Sequence, residues 1–487
     1  MTQRSSRRHF LKASTALTAG ATLVSGLTIT QSAHAAGSDE IKVALVGCGG
    51  RGNGAIRDRA QVGDNYKVVA VADVFEGQAK RAADSLRNDT QNEEDPLFNK
   101  VDLPTDRVFW GLDAYKKAID CLNPGDQVIL TTPPGFRPYH YRAAIEKGLH
   151  VFMEKPVCVD APGFRHVMET NRRADEKNLK VCVGYCYRYD ANFVNWIEQI
   201  HAGKIGDVQY TRGYYNVGPI WCRHREPNEG ELEFQVRNWY HFVWLCGDNI
   251  VEQHCHRIDV DNWIHSKGDR KSHPIEANGM GGRLVKSGRE DLIRQAPAFY
   301  DDRKAWDEWY QQFKNEFYRH GQAWDSFFVE YTYADGSRSY SQCRHIKETW
   351  IHNNDYVHGT TGTGIGGVSG PTVLFGPDGT EIWRNPGNYP KGMYHWEHDC
   401  HVEAIRNNEP MNDGYSAAMS SMMAVLGREA AFSGRVITWD ELVEKGRSYC
   451  PNGEILSFDQ PAPVLPDANG FYEGSVAVPG QYDPFVS

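Results

Sequence analysis

No run of apolar residues in this 487-residue chain is long and apolar enough for a stable membrane span; the nearest stretch, 13–30, is diluted with Ala, Thr and Gly. A basic surplus is missing as well. The 53 Lys and Arg stand against 63 Asp and Glu, and a net charge of -10 argues against nucleic acid as a partner, because phosphates need a basic surface. The 11 cysteines lack paired spacing: Cys182 and Cys186 are four apart with no second pair, so no zinc site is expected. There is no internal repeat. What remains is 40% apolar and 12% aromatic, the composition of a globular chain long enough for two domains and a large core.

The first 36 residues stand apart. Ser6-Arg7-Arg8-His9-Phe10-Leu11-Lys12 is a twin-arginine export pattern, followed by the weakly apolar stretch and a small-residue site, Ala33-His34-Ala35. The expectation is a signal peptide over 1–36, the twin-arginine export machinery as a partner, and a protein that is periplasmic or otherwise exported by that route. Such a route carries proteins already folded. A cofactor would then be loaded before export and stay tightly bound, and buried thiols would stay reduced, with few or no structural disulfides.

From residue 40 strands and helices alternate. The segments 41–46, 67–72, 127–132 and 149–152 are apolar runs of the kind that parallel strands show when both faces are covered. Helical segments at 77–86, 112–120 and 139–147 lie between them, and 88–105 reads as a polar surface loop. This predicts an α/β, doubly wound Rossmann domain over 37–158. Beyond about 161 the pattern changes: a helix at 164–178, strands at 180–186 and 209–217, and two hairpins, around Asp335-Gly336 and Asp378-Gly379. These predict an α+β second domain over 159–450 with a large, mostly antiparallel sheet. Residues 414–433 read as a helix stopped by Gly434, its Met419, Met422 and Met423 serving as core filler. The region 283–326 reads as an insertion, and 451–487 as an extended arm over the surface or onto a partner subunit.

The loop Gly47-Cys48-Gly49-Gly50-Arg51-Gly52 follows the first strand and opens a helix, and Asp73 ends the next strand 21 residues after Gly52. That context makes it a dinucleotide fingerprint. Gly47 permits the tight turn, Gly49 lets the backbone approach a pyrophosphate, Gly52 lets helix and sheet pack closely, and the helix start offers free N–H groups. Asp73 would hold ribose hydroxyls and repel a 2′-phosphate, favouring NAD over NADP, a preference that Lys80 and Arg81 weaken slightly. Thr132-Pro133 ends a later strand, where nicotinamide ribose is expected. Arg51 and Glu154 complete the expected cofactor-binding set.

Lys155 stands just past the fourth apolar run, before Pro156, with which a cis bond would aim it sharply. An ammonium there can stabilise alkoxide character on a substrate oxygen. On a helix, Glu252, His256 and Asp259 would share one face at i, i+4 and i+7, with His254 pointing elsewhere. A neutral histidine suits the removal of a hydroxyl proton, and a neighbouring carboxylate would orient it. His254 and His256 lack a third soft ligand, so no metal is expected.

These residues resemble the Gfo/Idh/MocA oxidoreductases, named for glucose–fructose oxidoreductase and inositol dehydrogenase, over roughly residues 40–440. The resemblance rests on Gly47 to Gly52, Thr132-Pro133, Glu154-Lys155-Pro156, Val183-Gly184 with Arg188, Gly203-Lys204-Ile205-Gly206, and the Glu252, His256, Asp259 segment ahead of Trp263. It implies a substrate pocket between the two domains and Lys155 and His256 as the catalytic pair, with Glu252 where the family usually has Asp. Tyr185, Tyr187, Arg188, Trp239 and Asp259 are the expected pocket residues, and a homo-oligomer, dimer or tetramer, is implied. The expected activity is hydride transfer between a nicotinamide cofactor and a secondary alcohol of a sugar, polyol or glycoside. The alternatives are an NAD-dependent glycoside hydrolase or lyase with no net redox change, and a non-catalytic sugar-binding protein.

Overall fold

Of the 487 residues, this computed structural model describes 40–486, apart from 284–301, 310–320 and positions 64, 222, 224, 347, 368, 369, 388, 451, 452 and 469–471. The expected export signal and most of the expected insertion lie outside the described residues.

Strands β1 (Ile41–Val46), β2 (Tyr66–Asp73), β3 (Val108–Trp110), β4 (Gln127–Leu130), β5 (His150–Met153) and β6 (Val181–Val183) form one parallel sheet in the order β3-β2-β1-β4-β5-β6. Helices cover both faces, which is why β4 and β5 are buried at every position and are apolar after their first residues, Gln127 and His150. The order reverses between β1 and β4, the crevice where doubly wound sheets bind ligands at their carboxyl ends. The 180–186 segment, expected in the second domain, instead extends this sheet. Its pairing of Val181 with Val151 and Val183 with Met153 carries the nucleotide sheet past residue 158. The 88–105 loop is less superficial than its polarity predicts: Leu97 and Leu103 are buried and Val101 bridges to Val68.

The second sheet has nine strands: β7 (Val208–Val217), β8 (Glu276–Gly282), β9 (Ser326–Thr332), β10 (Arg338–His345), β11 (Asn354–Gly359), β12 (Thr363–Gly367), β13 (Val373–Phe375), β14 (Glu381–Arg384) and β15 (Ile437–Thr438). Their order is β14-β13-β12-β11-β7-β10-β9-β8-β15, antiparallel throughout except for β7 with β10. Both expected hairpins are present, turned by Gly336 and Gly379 with positive φ. Burial alternates along β9 and β10, so one face of the sheet packs inward and the other is open. The inward face meets the Gly414–Ser433 helix. All twenty of its residues are buried, and left-handed Gly434 ends it. Its methionines join a core that runs without a break from β1 and β4 to β9, so the two domains share one apolar interior.

The tail folds back on its own chain. Ile455, Ala462 and Tyr472 are buried against Leu232, Phe136 and Trp244. No helix among the described residues is long and apolar enough to cross a membrane, and no two of their cysteines are joined.

Candidate active site

The glycine loop closes on itself for steric reasons that can be read position by position. Gly47 has φ +97°, and a Cβ there would meet the backbone of Thr131 at 2.8 Å. A Cβ on Gly52 would stand 1.9 Å from the Gly47 carbonyl oxygen. A Cβ on Gly49 would meet nothing within 4 Å, and Gly49 starts the Gly50–Ala60 helix with no side-chain cap. The loop is therefore tight on the sheet side and open at the helix N-terminus, where backbone N–H groups attract phosphate. Thr131 Oγ1 donates to the Gly47 carbonyl at 2.6 Å. The Asp73 carboxylate accepts from Cys48 N at 2.7 Å and Phe75 N at 2.9 Å; burial raises its pKa and these two bonds pull it back. An open cradle beside a half-buried carboxylate fits a dinucleotide.

The other expected cofactor residues are largely committed to the protein. Arg51 Nε donates to Glu154 Oε1 at 2.5 Å, its Nη1 reaches Asp58 at 3.2 Å, and Nη2 lies 3.5 Å from Glu397. Glu397 belongs to the Met393–Arg406 helix of the second domain, and burial and Glu154 raise its pKa well above the carboxylate range. Thr132 Oγ1 pairs with His140 Nδ1 at 3.1 Å, and its carbonyl accepts from buried Arg137 at 2.6 Å. Arg137 also bonds the Leu130 carbonyl at 2.7 Å, pinning the Thr132-Pro133 turn from behind. No motif marks Arg137 in the sequence.

The Lys155-Pro156 bond is cis. Lys155 Nζ donates to Glu252 Oε1 at 3.2 Å and also to the Glu252 main-chain carbonyl. Burial alone would depress the ammonium's pKa, but Glu252, with smaller help from Cys255, Tyr240 and Glu154, holds it well above its ordinary value. Glu252 and His256 do not share a helix. Asn249–Glu252 ends, and Cys255–Ser266 begins, on either side of Gln253 and His254. The Glu252 carbonyl, which would accept from residue 256 in a continuous helix, is taken by Lys155 and Cys255 Sγ. The expected Glu252–His256 pair is thereby replaced by a Glu252–Lys155 pair.

His256 packs its ring 5.0 Å from Tyr187 and edge-on to Tyr185 at 6.2 Å, and its buried Nδ1 has no hydrogen-bond partner. Burial, then Lys155, Arg257 and Arg51, push its pKa well below 6.5. Tyr185, expected in the pocket, is buried behind His256 with its hydroxyl 3.0 Å from Ser421 Oγ. Asp259 is also a correction. It is 1% exposed, and its carboxylate is taken by a two-pronged pair with Arg188 (2.8–3.0 Å) and by Ser420 at 2.7 Å. Asp259 therefore orients Arg188 over the Trp263 ring rather than meeting a substrate. Trp239 stacks on Tyr240 at 3.9 Å. Tyr240, absent from the expected set, faces the Lys155–Glu252 pair and accepts from Gln253 at 3.1 Å. Its only sequence signal is its position next to Trp239. Among the described residues no group of three or more His, Cys, Asp or Glu is placed to hold a metal ion.

Residues 41–185 match the oxidoreductase family with an NAD-binding Rossmann fold, GFO_IDH_MocA. Over those residues the chain is similar to the nucleotide domain of the Gfo/Idh/MocA oxidoreductases. Inositol 2-dehydrogenase of Salmonella typhimurium is 28% identical over 229 residues, 46% of this chain and 54% of that protein. Glycosyl hydrolase family 109 protein 1 of Akkermansia muciniphila is 26% identical over 181 residues, 36% of this chain and 34% of that one. The chain spans about half the length of the inositol dehydrogenases it matches. In fold it is similar to aldose-aldose oxidoreductase from Caulobacter crescentus (TM-score 0.56, 14% identity, 82% of this chain and 99% of that one). It is similar as well to GenD2 from gentamicin A biosynthesis, solved in complex with NAD (0.55, 16%, 85% and 99%).

In this arrangement Lys155 is a positive hydrogen-bond donor and His256 a neutral imidazole. The pH dependence follows from the sign of the histidine shift. The pKa of His256 lies below 6.5, so its basic form persists as pH falls through 6.5. The acid limb of kcat/KM is expected below pH 6.5, and His256→Asn should abolish it. A limb centred at or above 6.5 in the wild-type profile would assign the base elsewhere.

Proposed function

We propose that this protein is an NAD-dependent oxidoreductase acting on a secondary alcohol of a sugar, polyol or glycoside. The observation that carries this reading is the charged Lys155 ammonium, held by Glu252, beside a neutral His256 at the carboxyl end of β5. The Gly47–Gly52 loop and Asp73 would hold the dinucleotide, which would supply the acceptor for the hydride of the carbinol carbon. Lys155 donates a hydrogen bond to the substrate oxygen and stabilises it as negative charge develops. His256 accepts the hydroxyl proton. Tight NAD binding and export by the twin-arginine route belong to the same proposal. An exported enzyme has no free NADH pool, so a second carbonyl substrate must re-oxidise the cofactor in place.

Tyr240 favours a second reading. Its phenol, held protonated by burial and by Glu252, is a further hydrogen-bond donor at the site, as would serve if oxidation is followed by loss of an aglycone, addition of water and return of the hydride. One experiment separates the two. Protein purified without added nucleotide is titrated with a panel of sugars and glycosides while near-UV absorbance of bound NADH is recorded. A single-turnover rise supports the dehydrogenase. Steady aglycone release without a rise supports the hidden redox cycle, and the absence of nucleotide even after denaturation overturns tight cofactor binding and favours a non-catalytic sugar-binding protein.

The open face of the nine-stranded sheet supports self-association. Met280 (68% exposed) and Phe328 (42% exposed) are direct partners across β8 and β9, and Tyr340 on β10 and Tyr214 on β7 lie further along the same face, with Gln342 between Phe328 and Tyr214. A second copy of the same face is the occupant we propose. Light scattering should give a dimer or tetramer for the wild type and a single chain for Met280→Asp/Phe328→Glu; an unchanged mass for the variant would place the interface elsewhere.

A further inference from the structure

The described residues between Tyr449 and Tyr482 reach from the second domain to the nucleotide domain and back. The two ends are stapled at one point. The Tyr449 and Tyr482 hydroxyls meet each other, and both reach Glu429, at 3.0 and 2.7 Å. Buried Arg428 pairs with Glu429 and donates to the Val159 and Gly247 carbonyls at 2.8 and 3.0 Å, which ties the staple to the segment that follows Lys155-Pro156.

Between the ends, the chain is attached to both domains. Glu454 accepts from the Tyr115 hydroxyl and lies 3.7 Å from Lys116, both in or beside the Ala114–Asp120 helix of the nucleotide domain. The next turn is pre-formed: Gln460 Oε1 accepts from Leu456 N at 2.7 Å and Ser457 N at 3.1 Å. That turn sets the Phe458 ring 6.3 Å from the ring of Phe75. Phe75 is the residue whose N–H holds the Asp73 carboxylate. Further on, the Val464 carbonyl accepts from Gln235 at 2.6 Å, and Tyr472 packs on Phe242 and bonds Glu231, all in the second domain. The path therefore bridges the two domains along the carboxyl-end edge of the parallel sheet, beside the acid that faces a dinucleotide ribose.

We propose that residues 453–468, together with Tyr472, form a clasp that completes the dinucleotide site, with Phe458 and Phe75 walling its adenosine end. The proposal rests on the oxidoreductase reading above. The clasp is fastened at Glu454 on one domain and at Tyr472 on the other, so a bound adenine dinucleotide leaves only after the clasp lifts. Its effect falls on the release rate, where most differences in affinity reside. An exported protein that cannot replace a lost cofactor has a use for such a device.

The test uses the full-length protein loaded with NADH. Excess NAD⁺ is added, and the decay of bound-NADH fluorescence gives the release rate. Phe458→Ala and Glu454→Gln should each release NADH about tenfold faster than wild type or more. Phe458 is 36% exposed, so the fold should survive its removal with an unchanged Tm. Leu465→Ala, a 66% exposed position on the same stretch, should release at the wild-type rate. NADH that binds all four proteins and leaves each at one rate overturns the clasp alone. A wild-type protein that neither carries nor binds NADH overturns the oxidoreductase reading together with the clasp.

Discussion

Lys155→Met is expected to lower kcat by about 10²–10³-fold, the usual cost of losing one donor that stabilises developing negative charge. Binding of NADH should be nearly unchanged, because the nucleotide cradle is built from the Gly47–Gly52 loop and Asp73 rather than from Lys155. The substitution also leaves Glu252 behind. That carboxylate is buried, and its Oε2 already has no hydrogen-bond partner. Removing the ammonium strands it, which should cost about 3–5 kcal/mol of stability unless it takes up a proton. A second substitution separates the two effects. Lys155→Met/Glu252→Gln should recover most of the lost Tm, because no uncompensated charge remains, while kcat stays at the level of the single variant. Thermal unfolding and steady-state rates measured on the same preparations decide it. If the double variant regains activity, Lys155 acts through the fold and not on the substrate.

The features that were legible in the sequence share one property: their physical cause is local. The glycine loop is set by the approach of Gly52 to the Gly47 carbonyl five residues before it, and Asp73 follows at a spacing set by one helix and one strand. The turns at Gly336 and Gly379 and the stop at Gly434 each follow from one residue's backbone freedom. The misreadings all have distant causes. The helix expected through Glu252 and His256 is broken because Lys155, 97 residues earlier in the chain, takes the Glu252 carbonyl. Asp259 is silenced by Arg188, 71 residues away, and by Ser420, 161 residues away. The strand at Val181–Val183 was visible as an apolar run, but nothing in its own residues says which sheet it joins. Arg137 and Tyr240 belong to no motif, and their roles arise only from what the folded chain brings near them.

The two glycines of the loop are expected to fail in opposite ways, and that contrast tests whether the loop holds a ligand at all. At Gly52 the constraint is the protein itself. A Cβ there stands 1.9 Å from the Gly47 carbonyl oxygen and 2.7 Å from Thr131 Oγ1, and backbone cannot swing aside as a side chain can. Gly52→Ala should push the Gly50–Ala60 helix off the sheet and cost about 1–3 kcal/mol or more, with nucleotide binding lost as a consequence. At Gly49 the protein imposes nothing. Its φ of -73° and ψ of -172° suit any residue, and no atom lies within 4 Å of the added Cβ. Gly49→Val should therefore change stability by no more than about 0.5 kcal/mol. Its side chain would nevertheless occupy the space through which a pyrophosphate approaches the helix N-terminus, and NADH affinity should fall about a hundredfold, or ~2.7 kcal/mol. Fluorescence titration with NADH beside thermal unfolding reads both variants. A Gly49→Val protein that unfolds like wild type and binds NADH like wild type would mean that the open cradle is not where the dinucleotide lies, however well the glycine spacing matches.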